Sequence, residues 1–203
     1  MNWFIKGIRM GVKTEDDYHH ETKWPSRLTR VKGGEITCPT DAIGEEWKQE
    51  RCIFCRACEP VFLPTGETLT PRVERTDVTF KRSFYLYPLD AGSCGGCNLE
   101  LRLISSPQYD MTRFGIFFTN TPKHADALLI MGNLGKRMEE VIRRAYDVMP
   151  SPKLVILLGT CAISGGVTGI PPDIRGDVIV PGCPPTPASI LDALIKTKGG
   201  ERE

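Results

Sequence analysis

The chain has 203 residues, 40% of them hydrophobic, with 26 Lys and Arg against 25 Asp and Glu and a formal net charge of +1. That balance argues against nucleic acid as a partner and against electrostatic capture of an acidic substrate, and no run approaches the roughly eighteen apolar residues of a membrane span. The opening residues lack the apolar stretch and cleavage pattern of an export signal, so the eight cysteines are expected as thiols in a reducing compartment.

In chain order, residues 3–13 predict a short amphipathic helix. Trp3, Phe4, Ile8 and Val12 fall on or near one face, and Lys6, Arg9 and Lys13 suit lipid headgroups or partner carboxylates. Gly7 and Gly11 weaken such a helix by about 1 kcal/mol each. Residues 1–75 read as a small irregular domain with few apolar runs. It carries the first group of cysteines, Cys38, Cys52, Cys55 and Cys58. Residues 64–71, rich in turn formers, read as loop or linker.

A second domain, residues 76–203, changes pattern. A strand is predicted over 83–86, ending before Pro88, and a helix over 98–105. Short buried strands follow at 115–119 and 127–131, then a helix over 135–149 that stops at Pro150. Residues 154–158 are the clearest buried strand, 178–180 another, and 188–197 a closing helix. Strands alternating with helices predict an α/β fold with a mainly parallel sheet covered by helices on both faces.

The second cysteine group sits at informative places on this map. Cys94 and Cys97 follow the first of these strands, Cys161 follows 154–158, and Cys183 follows 178–180. All four therefore fall beyond the carboxyl ends of strands, where open α/β sheets place ligands. Neighbouring glycines allow close approach of backbone to an inorganic group.

The first group reads differently. Cys52-Ile-Phe-Cys55-Arg-Ala-Cys58 is C-x2-C-x2-C, the run by which bacterial ferredoxins hold three irons of a cluster, and a Cys-Pro unit lies upstream at Cys38-Pro39. This resembles a two-cluster ferredoxin reduced to one cluster. One repeat keeps only its Cys-Pro, the other only its triad, and the survivors make one complete ligand set. The alternative is a structural zinc site with four thiolates, although such sites usually pair two C-x2-C knuckles.

Cys94-Gly-Gly-Cys97-Asn-Leu-Glu100, Pro122-Lys-His-Ala-Asp126, Gly159-Thr-Cys161-Ala-Ile-Ser-Gly-Gly166 and Pro181-Gly-Cys183-Pro-Pro-Thr-Pro187 together resemble one family. It is the small subunit of membrane-bound, energy-converting [NiFe] hydrogenases, formate hydrogenlyase included, related to the cluster-bearing subunit beside the quinone site of complex I. The resemblance covers residues 82–197. It implies a flavodoxin-like fold with a [4Fe–4S] cluster on Cys94, Cys97, Cys161 and Cys183. Complex I subunits carry adjacent cysteines at the first motif; the two glycines between Cys94 and Cys97 look like the hydrogenase branch. The N-terminal part resembles instead the polyferredoxin subunit of the same complexes.

The resemblance thus implies an electron-transfer subunit with two [4Fe–4S] clusters and no catalytic residue of its own. It would relay electrons to or from the [NiFe] site of a large subunit, beside other iron–sulfur and membrane subunits, peripheral to the cytoplasmic face of the cell membrane. Two other readings stay open: a complex I-like subunit serving quinone or sulfur-compound reduction, and a zinc-binding assembly scaffold. Glu100, one turn beyond Cys97, is a candidate proton relay or a solvated interface carboxylate. His124, before a strand, reads as a capping or core residue.

Overall fold

The computed structural model of the chain describes residues 3–10, 25–75, 80, 82–133, 135–168 and 173–199. Its elements are α1 (Trp3–Met10), β1 (Leu28–Arg30), β2 (Phe62–Pro64), β3 (Arg72–Val73), β4 (Phe84–Asp90), α2 (Gly96–Leu103), β5 (Ile116–Phe118), β6 (Ala127–Met131), α3 (Lys136–Asp147), β7 (Leu154–Leu158), α4 (Thr160–Ser164), β8 (Val178–Val180) and α5 (Pro187–Lys198).

Five strands pair in parallel in the order β5-β4-β6-β7-β8, and β3 closes the far edge antiparallel to β8. Counting only the parallel strands along the chain, this is the 2-1-3-4-5 order of flavodoxin-like sheets. The expected α/β architecture is therefore the one that forms. The apolar runs explain why. Every residue of β6 and β7 is buried, as helices on both faces of a parallel sheet require. Alternate residues serve opposite layers. Leu154, Ile156 and Leu158 pack with Leu101, Ile104, Ile190 and Leu194 of the α2 and α5 side. Val155 and Leu157 pack with Ile142, Ala145 and Met149 of the α3 side.

Two expectations are corrected. β4 does not end before Pro88 but runs through it to Asp90. Phe84 N–H donates to the Gly115 carbonyl and the Leu86 carbonyl accepts from Thr119 N–H, so by alternation Pro88 turns its backbone to the same side. β5 ends at Phe118, opposite Leu86. The N–H that proline lacks thus faces no strand, the position where a sheet tolerates proline. The next helix begins at Gly96, inside the cysteine motif, because Gly95 at φ 93 turns the loop directly into it. The first helix is described over Trp3–Met10; residues 11–13 of the expected helix lie outside the described residues.

The N-terminal segment builds a smaller lobe. β1 and β2 pair antiparallel over a core of Leu28, Ala42, Cys52, Cys58, Val61 and Phe62. The end of this segment enters the main sheet as β3. Its residue Arg72 approaches Glu50 at 3.4 Å, and Gln49 exchanges two hydrogen bonds with the Thr70 backbone.

Candidate functional site

At the carboxyl edge of the main sheet, Cys94 is exposed and Cys97, Cys161 and Cys183 are half-buried. The loop carrying the first two is organised by Asp90, the last residue of β4. One carboxylate oxygen accepts from the Gly92 and Ser93 amides at 2.9 and 2.7 Å. The other accepts from Ser93 Oγ at 2.9 Å and Asn98 Nδ2 at 2.6 Å. Burial acts to raise the Asp90 carboxyl, but these hydrogen bonds more than offset it and hold the group below its ordinary range.

Glycines leave room for the sulfurs. A Cβ on Gly159, whose φ is 84, would stand 2.5 Å from Cys97 Sγ, and one on Gly166 would stand 2.9 Å from Cys161 Sγ. Burial, then the neighbouring Cys183, Cys161 and Cys94, push the Cys97 thiol up to about 12. Burial, then Cys161 and Cys94, push Cys183 up to about 11. Thiols that suppress one another's ionisation lie close together, and a cationic group between them would favour their thiolate forms.

In the smaller lobe, Cys38, Cys52, Cys55 and Cys58 line one cavity. Between the last three, Phe54 and Arg56 adopt φ of 53 and 65, a left-handed conformation costing about 1–2 kcal/mol for a residue with a Cβ. Strain of this kind collects at functional sites; here it reverses the chain between successive cysteines. Ala42 N–H donates to Cys38 Sγ at 3.3 Å. Burial acts to raise the Cys38 thiol, but the Thr40 and Ala42 amides, helped by the Thr40 hydroxyl, bring it below its ordinary value. Burial raises Cys52 despite the Trp47 indole N–H, which lowers it, and raises Cys58 with help from the Cys52 charge. Trp47 Nε1 is buried with no hydrogen-bond partner among the described residues.

The two quartets adjoin. Thr160, next to Cys161, donates its hydroxyl to the Cys52 carbonyl at 3.0 Å, and the Cys52 charge contributes to raising Cys183. Each cysteine group expected from spacing is therefore gathered on its own lobe, and the groups meet at α4. Glu100 is half-buried on α2, and burial alone raises its carboxyl. His124 is exposed in a short turn rather than in the core. Sequence reasoning missed Asp90, Trp47 and Thr160. A carboxylate closing a strand just before a Cys-Gly-Gly-Cys loop was the one local signal available, for Asp90.

A doubly wound α/β sheet thus carries thiol-bearing loops at its carboxyl edge and is joined to a cysteine-lined lobe. The chain belongs to the family described as NADH ubiquinone oxidoreductase, 20 Kd subunit, which matches residues 94–197. That membership makes it an electron-transfer component of a complex I-like or hydrogenase-type oxidoreductase, in a family associated with iron–sulfur clusters. An uncharacterized protein of Methanocaldococcus jannaschii is 36% identical over 123 residues, covering 57% of this chain and 83% of the relative. A chain of the membrane-bound sulfane sulfur reductase, an archaeal respiratory membrane complex, is 28% identical with a TM-score of 0.48, over 60% of this chain and 73% of that one. A chain of an NAD+-reducing [NiFe]-hydrogenase is 18% identical with a TM-score of 0.47, over 60% and 94%. Among the described residues no helix is long and apolar enough to cross a membrane.

Proposed function

We propose that the chain is the electron-transfer subunit of a membrane-bound [NiFe] hydrogenase complex, holding two [4Fe–4S] clusters. Cys94, Cys97, Cys161 and Cys183 would ligate one, on the domain of residues 76–203. Cys38, Cys52, Cys55 and Cys58 would ligate the other, on a ferredoxin-like lobe of residues 1–75. The observation that supports this reading is the grouping of Cys94, Cys97, Cys161 and Cys183 at the sheet's carboxyl edge, where Cys161 and Cys94 both act to raise the Cys97 and Cys183 thiols. Bound there, such clusters supply one-electron transfer.

The chain's own residues do the rest. Gly159 and Gly166 keep space open beside Cys97 and Cys161. Asp90 fixes the Cys94–Cys97 loop, and the Ala42 amide and Trp47 indole offer donors to sulfur in the other quartet. A zinc ion would draw its sulfurs to about 2.3 Å from one centre. A C-x2-C-x2-C triad is unusual for such a site, which generally pairs two C-x2-C knuckles.

The two glycines between Cys94 and Cys97 favour the hydrogenase branch over quinone or sulfur-compound reduction. The partners would be a [NiFe] large subunit and further iron–sulfur and membrane subunits at the cytoplasmic face. Glu100, half-buried on α2 with its carboxyl raised by burial, would be the candidate proton relay.

Anaerobic purification of the complex tests the assignment: we expect about eight irons and eight labile sulfides per chain, and hydrogen turnover by the complex. Cys38→Ser should lose or convert one cluster and spare the other. Four irons with one zinc would defeat the ferredoxin-like assignment, and a complex inert toward hydrogen would point to quinone or sulfur chemistry.

A further inference from the structure

We propose that Thr160 is a positioning residue that ties the two cysteine quartets into one unit, a role that rests on the two-cluster reading above. Thr160 opens α4 and is only 1% exposed. A buried threonine in a helix usually satisfies its hydroxyl within the helix, as Thr197 does by donating to Ala193 O. Thr160 does otherwise. Its hydroxyl lies 3.0 Å from the carbonyl of Cys52, 108 residues away in sequence, and 3.2 Å from the carbonyl of Gly182. Its own amide also donates to Gly182 O, at 2.9 Å.

One side chain thus touches a ligand residue of the first quartet and the residue beside Cys183, while its backbone continues into Cys161. One turn along the same helix, Ser164 Oγ lies 2.9 Å from Glu50 O and 3.1 Å from Thr160 O, sharing its proton between them. Two hydroxyls of α4 therefore hold the backbone of residues 50–52 against the loops of the second quartet. The interaction between two redox centres falls steeply with their separation, so a hydrogen bond that sets this separation bears on their communication. Removing the hydroxyl leaves the buried Cys52 carbonyl without that donor and frees Cys52 to shift.

Thr160→Val keeps the shape and deletes the donor; Thr160→Ser keeps the donor. The purified complexes of parent, both variants and Ser164→Ala are compared anaerobically by iron and sulfide content. The EPR signals of both reduced clusters, and the spin–spin splitting between them, are recorded on the same samples. Thr160→Val is expected to change or lose the splitting, or to shed the iron bound through Cys52, while Thr160→Ser behaves as the parent and Ser164→Ala shows a smaller change. Full iron content with parental splitting in Thr160→Val would overturn the proposal. Equal losses in the valine and serine variants would overturn it too, because the hydroxyl would then not matter. A parent chain with well under about eight irons would fail the two-cluster reading first, and is distinguished by being seen before any substitution.

Discussion

Gly159 occupies a point where one methyl group decides whether a sulfur fits. Its φ of 84 already disfavours any other residue, and a Cβ there would meet Cys97 Sγ at 2.5 Å. Gly159→Ala should therefore strip iron from the Cys94, Cys97, Cys161 and Cys183 quartet and spare the other, halving total iron, as read by metal analysis and EPR. Trp47 offers a subtler change. Trp47→Phe retains packing against Phe54 but removes the indole donor near Cys52. Hydrogen bonds to sulfur favour the more negative, reduced state of a cluster, so the midpoint potential of the smaller lobe's cluster should fall. A potentiometric EPR titration giving an unchanged potential would rule out that donor as a tuning group. At this scale the grouping of the cysteines was legible, since their spacing along the chain is constrained. Trp47 and Thr160 were not, because each acts on Cys52 through folding rather than through a sequence pattern.

Helix α5 shows what a single element contributes to the site. Thr186 caps it, accepting from Ser189 N–H at 3.2 Å, and Pro187 occupies the first turn, where a missing N–H does no harm. Thr186→Ala should cost about 1 kcal/mol, seen as a lower midpoint in chemical denaturation. Ile190, fully buried on the same helix, should cost about 2–5 kcal/mol on substitution by alanine. The first change lies three residues from Cys183 and should loosen its loop as well; the second should leave the loop intact. β6, β7 and β8 were legible to the residue because burial on both faces leaves an unbroken apolar run. β1, β2 and β3 were not, being two or three residues long and partly exposed. The length of β4 depended on where its neighbour β5 ends, which no pattern within β4 reveals.

Across the whole molecule, large apolar side chains stay uncovered beside the second quartet. Leu99 and Leu103 on α2 are 64% and 46% exposed, and Val167, next to Gly166, is 70% exposed. Patches of this kind mark contact surfaces. The chain produced alone should therefore aggregate or lose iron, and co-production with its partner subunits should restore a soluble, loaded chain; size-exclusion chromatography with iron analysis distinguishes the two. Ile5, Ile8 and Met10 of α1 are likewise exposed. Deleting residues 1–13 should then reduce membrane association of the complex, measured by fractionation. The seam between the lobes carries a different consequence. Arg72 and Val73 pair with Ile179 and Val178, so the cysteine-lined lobe is woven into the edge of the sheet next to the strand that leads to Cys183. A carrier on a slack tether can swing, collecting charge at one dock and delivering it at another. On the two-cluster reading proposed above, a lobe stitched in this way would act as a length of wire with two fixed terminals, and a donor would have to come to it.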